Sequence, residues 1–187
     1  MKQRLLNLIG RVLARPFSLW LLTLYANWYE RRHPIRDIHD RDGPLYMGRQ
    51  WVVAPGGRLS NLLYRFTGYE SARLHRIMRA DHDRDLHNHP FEYRTFVLKG
   101  YYREQYLDLQ GLCFDGPIRE RTLWAGDTAH SYDHTGFHRI AGMTPDGVTT
   151  LFFMTPNHEE WGFLVDGHYV DSKDYLAAKG YINGGKR

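Results

Sequence analysis

The chain has 187 residues, 42% of them apolar, and a formal net charge of +4. That length fits one domain able to bury a core without disulfide or metal staples. The single cysteine, Cys113, excludes an intramolecular disulfide framework and a cysteine-only metal cluster, and suits a reducing, cytoplasmic setting. Aromatic residues at 14% argue against disorder, and the basic balance raises nucleic acid as a first class of partner.

The first 36 residues are basic, aromatic and helical in pattern. Leu5, Leu6, Ile9, Val12 and Leu13 recur at helical spacing with Arg4, Arg11 and Arg15 between them. Pro16 interrupts, and a second apolar run extends from Phe17 to Tyr29. That run is shorter than the roughly 20 residues a spanning helix needs. The basic start followed by an apolar stretch also resembles a signal peptide, but arginines and a proline split it and no small-residue cleavage site follows. Helices packed on the domain or on a second subunit are expected, with peripheral membrane contact through a basic amphipathic helix as the alternative.

From Tyr46 onward the texture changes to short runs rich in Tyr, Phe, Val, Thr and Trp. Residues 50–54, 74–79, 93–99, 101–109, 120–124, 137–141, 149–154 and 162–165 are predicted strands. Lys99-Gly100 between two of them reads as a hairpin turn. Residues 172–179 read as a short helix with Ser172 as N-cap and Gly180 as C-cap. The expected organisation is a helical arm over 1–36, an all-β domain over 37–171, and a C-terminal helix and tail over 172–187.

Charge placement decides the nucleic-acid question. Seven basic residues against Glu30 give residues 1–36 a charge of +6, so the remainder carries −2. Tyr64-Arg65-Phe66 and Tyr101-Tyr102-Arg103 interleave aromatics with charge, but such alternation suits a half-buried sheet better than a base-stacking platform. No nucleic-acid motif is present, and no nucleic-acid partner is expected.

Histidine placement is the informative feature. His87 and His89 are two apart, so on a strand both rings project to one face. Glu92 can add a carboxylate, and His138 can close the site from a neighbouring strand. Neutral imidazoles with a carboxylate suit Fe(II), Mn(II), Ni(II) or Zn(II) with open positions for water or substrate. Strand alternation points Glu92 away from the histidines, whereas a bulge at Pro90 can restore its inward direction. His130 and His134 are spaced for zinc only on a helix, which Gly126, Asp127, Asp133 and Gly136 disfavour. His75, Arg76 and Arg79 lie on the strand before the cluster, where an arginine on the inner face suits an anion clamp.

His87, His89 and Gly100, then Gly126-Asp127 and His138, resemble the two motifs of the cupin superfamily. The stretches His87-Asn88-His89-Pro90-Phe91-Glu92, His138-Arg139-Ile140 and Trp161-Gly162-Phe163 are similar to those of small bacterial and phage cupins, some labelled cysteine dioxygenase-like. The resemblance implies a cupin-type double-stranded β-helix, a jelly-roll barrel, with one divalent metal ion, Fe(II) favoured and Zn, Mn or Ni as alternatives. It implies His87, His89, Glu92 and His138 as ligands and Arg94 and Arg139 as catalytic candidates. With Glu92 turned away, the site is three-histidine, Tyr93 or Arg94 takes the glutamate slot, and Arg94 can hold a substrate carboxylate. The implied activity is a mononuclear non-haem oxygenase acting on a small-molecule or peptide substrate, in a homodimer. The alternatives are a metal-dependent isomerase, epimerase or lyase, and a non-enzymatic metal- or ligand-binding cupin.

Overall fold

The computed structural model describes residues 2–39, 43–81, 84–108, 116–131, 136–157 and 160–180. Cys113, His82, His134, His158 and the expected tail over 183–187 lie outside the described residues.

The chain begins with two helices, α1 (Lys2–Leu13) and α2 (Pro16–Glu30). Pro16 starts α2, where its missing N–H costs no intrahelical bond. Among the described residues, twelve strands follow, with two further helices. They are β1 (Ile38–His39), β2 (Leu45–Val53), α3 (Arg58–Thr67), β3 (Ser71–Ile77), β4 (Leu86–His87), β5 (Tyr93–Lys99) and β6 (Tyr101–Leu107). The remainder are β7 (Ile118–Trp124), β8 (Thr128–Ser131), β9 (His138–Met143), β10 (Val148–Met154), β11 (Gly162–Val165), β12 (His168–Asp171) and α4 (Ser172–Ala178). Two six-stranded antiparallel sheets result, a first in the order β1-β2-β3-β10-β5-β8 and a second in the order β12-β11-β4-β9-β6-β7.

Each of the eight predicted strands overlaps an observed one, and 93–99 and 162–165 agree at both ends. Four short strands and α3 went unanticipated, although Leu59, Leu62, Leu63 and Phe66 carry helical spacing within α3. Tyr64-Arg65-Phe66 therefore sits on a helix rather than a strand.

Two local expectations are corrected. Lys99-Gly100 does not close a hairpin, because β5 pairs with β8 and β10 while β6 pairs with β7 and β9. It is a corner where the chain leaves one sheet for the other, and Gly100 takes it at φ 78°, a backbone state that glycine reaches without steric cost. At α4 the N-cap is Asp171, whose carboxylate accepts from the Lys173 N–H at 2.8 Å. Ser172 is the first helical residue, its own N–H donating to the Trp161 carbonyl.

The core has two principal layers. Between the sheets lie Ile77, Val97, Tyr102, Leu123, Ile140 and Val148. Outside the first sheet, Ala72, Leu74, Phe96, Leu98 and Leu151 pack against Leu6 and Leu13 of α1, Leu19, Leu22 and Ala26 of α2, and Leu63 of α3. At roughly 25 cal/mol per Å² of apolar surface, that second layer seats the N-terminal helices on the sheet. No single helix among the described residues is long and apolar enough to cross a membrane.

Candidate metal centre

His87 ends β4 and His138 begins β9, and the two residues are paired across those strands. His89 follows two residues later with its ring on the same side. The ring centroids of His87 and His89, His87 and His138, and His89 and His138 stand 5.4, 5.1 and 5.2 Å apart. One nitrogen from each ring lies within 4.8 Å of the others, and His89 Nε2 is 3.0 Å from His138 Nε2.

The residue between the two histidines holds them in place. Asn88 faces away from the cluster, donates from Nδ2 to the Glu160 carbonyl at 3.0 Å, and accepts the Gly162 N–H at 2.7 Å. Phe163, on β11, pairs with His87 in the ladder, and its ring stacks on Tyr175 of α4. Phe163 thus packs in the core beside the site, whereas Trp161, against the core expectation, is exposed; both line the cavity.

Behind His138 stands a charged relay that the sequence reading missed. Glu104 is 1% exposed, and its Oε1 lies 2.5 Å from His138 Nδ1 while Oε2 accepts from Arg121 Nε at 2.6 Å. Burial raises this carboxyl, but the hydrogen bond and charge of His138, and those of Arg121, outweigh burial and hold it below its usual range. A carboxylate on Nδ1 fixes the tautomer that leaves Nε2 bare toward the other histidines, the outer-shell partnership that ligating histidines use. The signal was present: Glu104 shares strand parity with buried Tyr102, against outward Arg103 and Gln105.

Burial first, then the charge of His138, pushes the His87 imidazole down to about 4, and the same causes hold His89 well below its ordinary range. Both are neutral at pH 7, the form that ligates metal. His87 also has the Asp85 backbone as a polar neighbour. Ring nitrogens converging from three imidazoles suit a cation among them, so the donor set fits one divalent ion.

Glu92 stands outside this group. Its backbone exchanges hydrogen bonds with Thr155, donating to Oγ1 and accepting the Thr155 N–H, each at 3.0 Å. The physical reason is parity: Tyr93, the next residue, turns into the cavity and brings its hydroxyl 3.4 Å from the His138 ring nitrogens. Arg94 and Arg139 do not line the cavity either. Arg94 contacts Thr128 Oγ1 at 3.4 Å, and Arg139 donates to Gln105 Oε1 at 2.9 Å and to the Arg84 carbonyl at 3.3 Å. Both arginines sit one residue out of phase with the inward Tyr93, Thr95, His138 and Ile140.

The histidines open into a cavity of about 290 Å³ between the sheets. Its walls are mainly apolar, with Phe91, Phe152 and Phe163 close to the histidines and Trp161 beside Phe163. Its polar groups include Arg49, Arg73 and His75 from β2 and β3, and Asp81, which accepts from Tyr46 Oη and from the Ile140 N–H. Arg76 and Arg79, expected beside His75 as anion clamps, are not among the lining residues: Arg76 is exposed, and Arg79 donates to the Ala80 carbonyl.

No family model matches the sequence, and no curated protein matches it. Solved structures do. The Fe(II) form of HppE superposes with a TM-score of 0.46 at 15% identity, over 65% of this chain and 55% of that one. Oxalate decarboxylase from Bacillus subtilis gives a TM-score of 0.46 at 16% identity, over 83% of this chain and 36% of that one. The chain thus spans about half the length of the first and about a third of the second.

Proposed function

We propose that this chain is a metal-dependent cupin in which His87, His89 and His138 hold one divalent ion, and that it acts as a mononuclear non-haem oxygenase on a small molecule. The observation that carries the metal assignment is the convergence of three imidazoles with a buried carboxylate behind one of them. The jelly-roll reading is supported by strand alternation: β3, β5, β8 and β10 lie in one sheet, and β4, β6, β7 and β9 in the other. Iron(II) is the ion we favour: His87, His89 and His138 would hold it with coordination positions to spare, and it would supply redox chemistry toward oxygen. The chain's own residues supply the rest. Glu104 orients His138, Asn88 fixes the loop that carries His87 and His89, and the aromatic walls exclude water.

The test is metal analysis of protein loaded anaerobically with iron(II), zinc or manganese, followed by oxygen uptake on a panel of small thiols, amino acids and organic acids. One ion per chain is expected, lost in His87→Ala and in His138→Ala. Full retention in both variants overturns the metal assignment. Stoichiometric iron without oxygen uptake across the panel overturns the oxygenase reading and leaves metal binding standing.

A further inference from the structure

The cavity carries positive charge that the metal reading does not use. Arg49 and Arg73 project into it from β2 and β3, and His75 stands between them in the ladder, paired with Arg49 across the strands. Arg73 lies flat on the Trp51 ring at 4.2 Å. Among the described residues it makes no hydrogen bond and no ion pair, and its Nε is buried without a partner. Arg49 spends Nε and Nη2 on the Arg36 carbonyl. Burial, with the charge of Arg49 second, pulls the Arg73 guanidinium down to about 10, the expected cost of a half-buried cation held by an aromatic ring and no carboxylate among the described residues.

We infer that Arg73, backed by Arg49 and His75, is a subsite for the carboxylate of an organic acid whose apolar or aromatic body lies against Phe91, Phe152 and Trp161. A guanidinium presents a planar fork that matches a carboxylate in two parallel hydrogen bonds. The cavity fixes the rest of the ligand. Its volume of about 290 Å³ and its aromatic walls suit a compact acid better than a bare inorganic anion. Phe152 connects the two ends, its ring 5.0 Å from that of His75 and 5.8 Å from that of His89. An acid seated on Arg73 therefore extends toward the three histidines. The subsite deepens the proposed function by naming its substrate class, but acid binding at Arg73 is measurable without metal.

Calorimetric titration of the full chain stripped of metal, with phenylacetate, neutral phenylacetamide and inorganic phosphate as probes, separates the possibilities. Phenylacetate is expected to bind, to weaken about tenfold to a hundredfold in Arg73→Gln, and to recover part of that loss in Arg73→Lys. Arg49→Gln, which leaves the fork on Arg73, is expected to weaken it less, and it tests the subsite if Arg73→Gln fails to fold. Equal binding of phenylacetamide, or binding indifferent to both arginines, overturns the inference. Phosphate binding as tightly as phenylacetate overturns the apolar-acid class. The same titration on His87→Ala, which removes a metal ligand and keeps the arginines, is expected to retain acid binding, so failure of the metal reading and failure of this one are distinguishable.

A second inference rests on the opposite side of the first sheet. The helices there are seated by one face and leave another apolar face uncovered. Leu5, Leu8, Ile9 and Val12 form an exposed stripe on α1, and Phe17, Trp20, Leu24 and Trp28 one on α2. Exposed apolar area on this scale marks an interaction surface. Its basic surroundings select the occupant: a second copy sets +6 against +6, whereas an anionic bilayer neutralises that charge. We propose that α1 and α2 lie on an anionic membrane surface, with tryptophans at the headgroup level and arginines toward phosphate. Co-sedimentation of the full chain with phosphatidylcholine vesicles, with and without phosphatidylglycerol, is expected to show binding only to the anionic set. Trp20→Ser/Trp28→Ser and Arg4→Gln/Arg11→Gln are each expected to reduce it several-fold. No vesicle binding overturns the proposal, whether the chain is then a monomer or a dimer broken by the same variants.

Discussion

The two sheets of this protein differ in what covers their outer faces. The first is buried on both sides, by the cavity within and by α1, α2 and α3 without. The second supplies His87 and His138 inward, yet its β7 is largely exposed, with only Leu123 buried. Sequence follows cover. Residues 93–98 are buried in an unbroken run, as in sheets packed on both faces, whereas β6 alternates Tyr102 and Glu104 with Arg103 and Gln105. The helical layer thus steadies one wall of the cavity, while the second sheet, covered outside by the smaller cluster of Leu86, Leu107 and Phe137 and exposed at β7, carries His87 and His138.

The largest effect expected to expose this asymmetry is on stability. Leu98 points outward from β5 into the helical layer and is 1% exposed. Leu98→Ala is expected to cost about 3 kcal/mol in urea denaturation, the usual range for a buried leucine. Arg103→Ala, outward on the second sheet with an exposed ion pair to Glu120, is expected to stay within about 0.5 kcal/mol. Equal losses at both positions contradict the difference in cover.

A second contrast lies within the second sheet, between its faces. Glu104→Gln keeps the shape but removes the charge behind His138, and is expected to weaken metal about tenfold to a hundredfold in a competing-chelator titration. Arg139→Gln, one residue from His138 but facing away, is expected to leave metal affinity unchanged.

The first sheet's inner face offers a test by pH. Burial, then the charges of Arg73 and Arg49, pull His75 from 6.5 down to about 3. As pH falls the unfolded chain binds this proton first, so the stability His75 contributes is complete above pH 6.5 and lost between 6.5 and 3. His75→Phe, which preserves the ring packing on Phe152, is expected to remove about 2 kcal/mol of the stability difference between pH 7 and pH 5. An unchanged acid limb in the variant places His75 in a solvated setting.

The same asymmetry explains what was legible in the sequence. Strands of six or seven residues showed themselves through composition, because pleated, packed surfaces select β-branched and aromatic side chains. β1 and β4, at two residues each, carry too little pattern to read, although β4 holds His87. His87, His89 and His138 were legible because spacing and order survive without a structure. Glu92, Arg94 and Arg139 were chosen for closeness in sequence, and strand parity sends each away from the cavity. Glu104, Arg49 and Arg73 come from other strands, so only the register of β6 with β9 and of β2 with β3 brings them to the site.

Gly10 gives the smallest expected effect and a test of sign. Glycine inside a helix ordinarily costs about 1 kcal/mol relative to alanine, so Gly10→Ala on a free arm gains stability. Here Gly10 is buried, and a Cβ at that position collides with the carbonyl oxygen of Gly126 and comes within 3.3 Å of Phe96. Gly126 itself sits at φ 99°, and its N–H is spent on the Val97 carbonyl, so the turn between β7 and β8 has little room to yield. Gly10→Ala is therefore expected to lower stability by about 1 kcal/mol and to raise amide exchange in α1, the mark of overpacking at a close backbone approach. A gain of similar size shows α1 unseated from the turn, and the first sheet then resembles β7 of the second in lying open at that end.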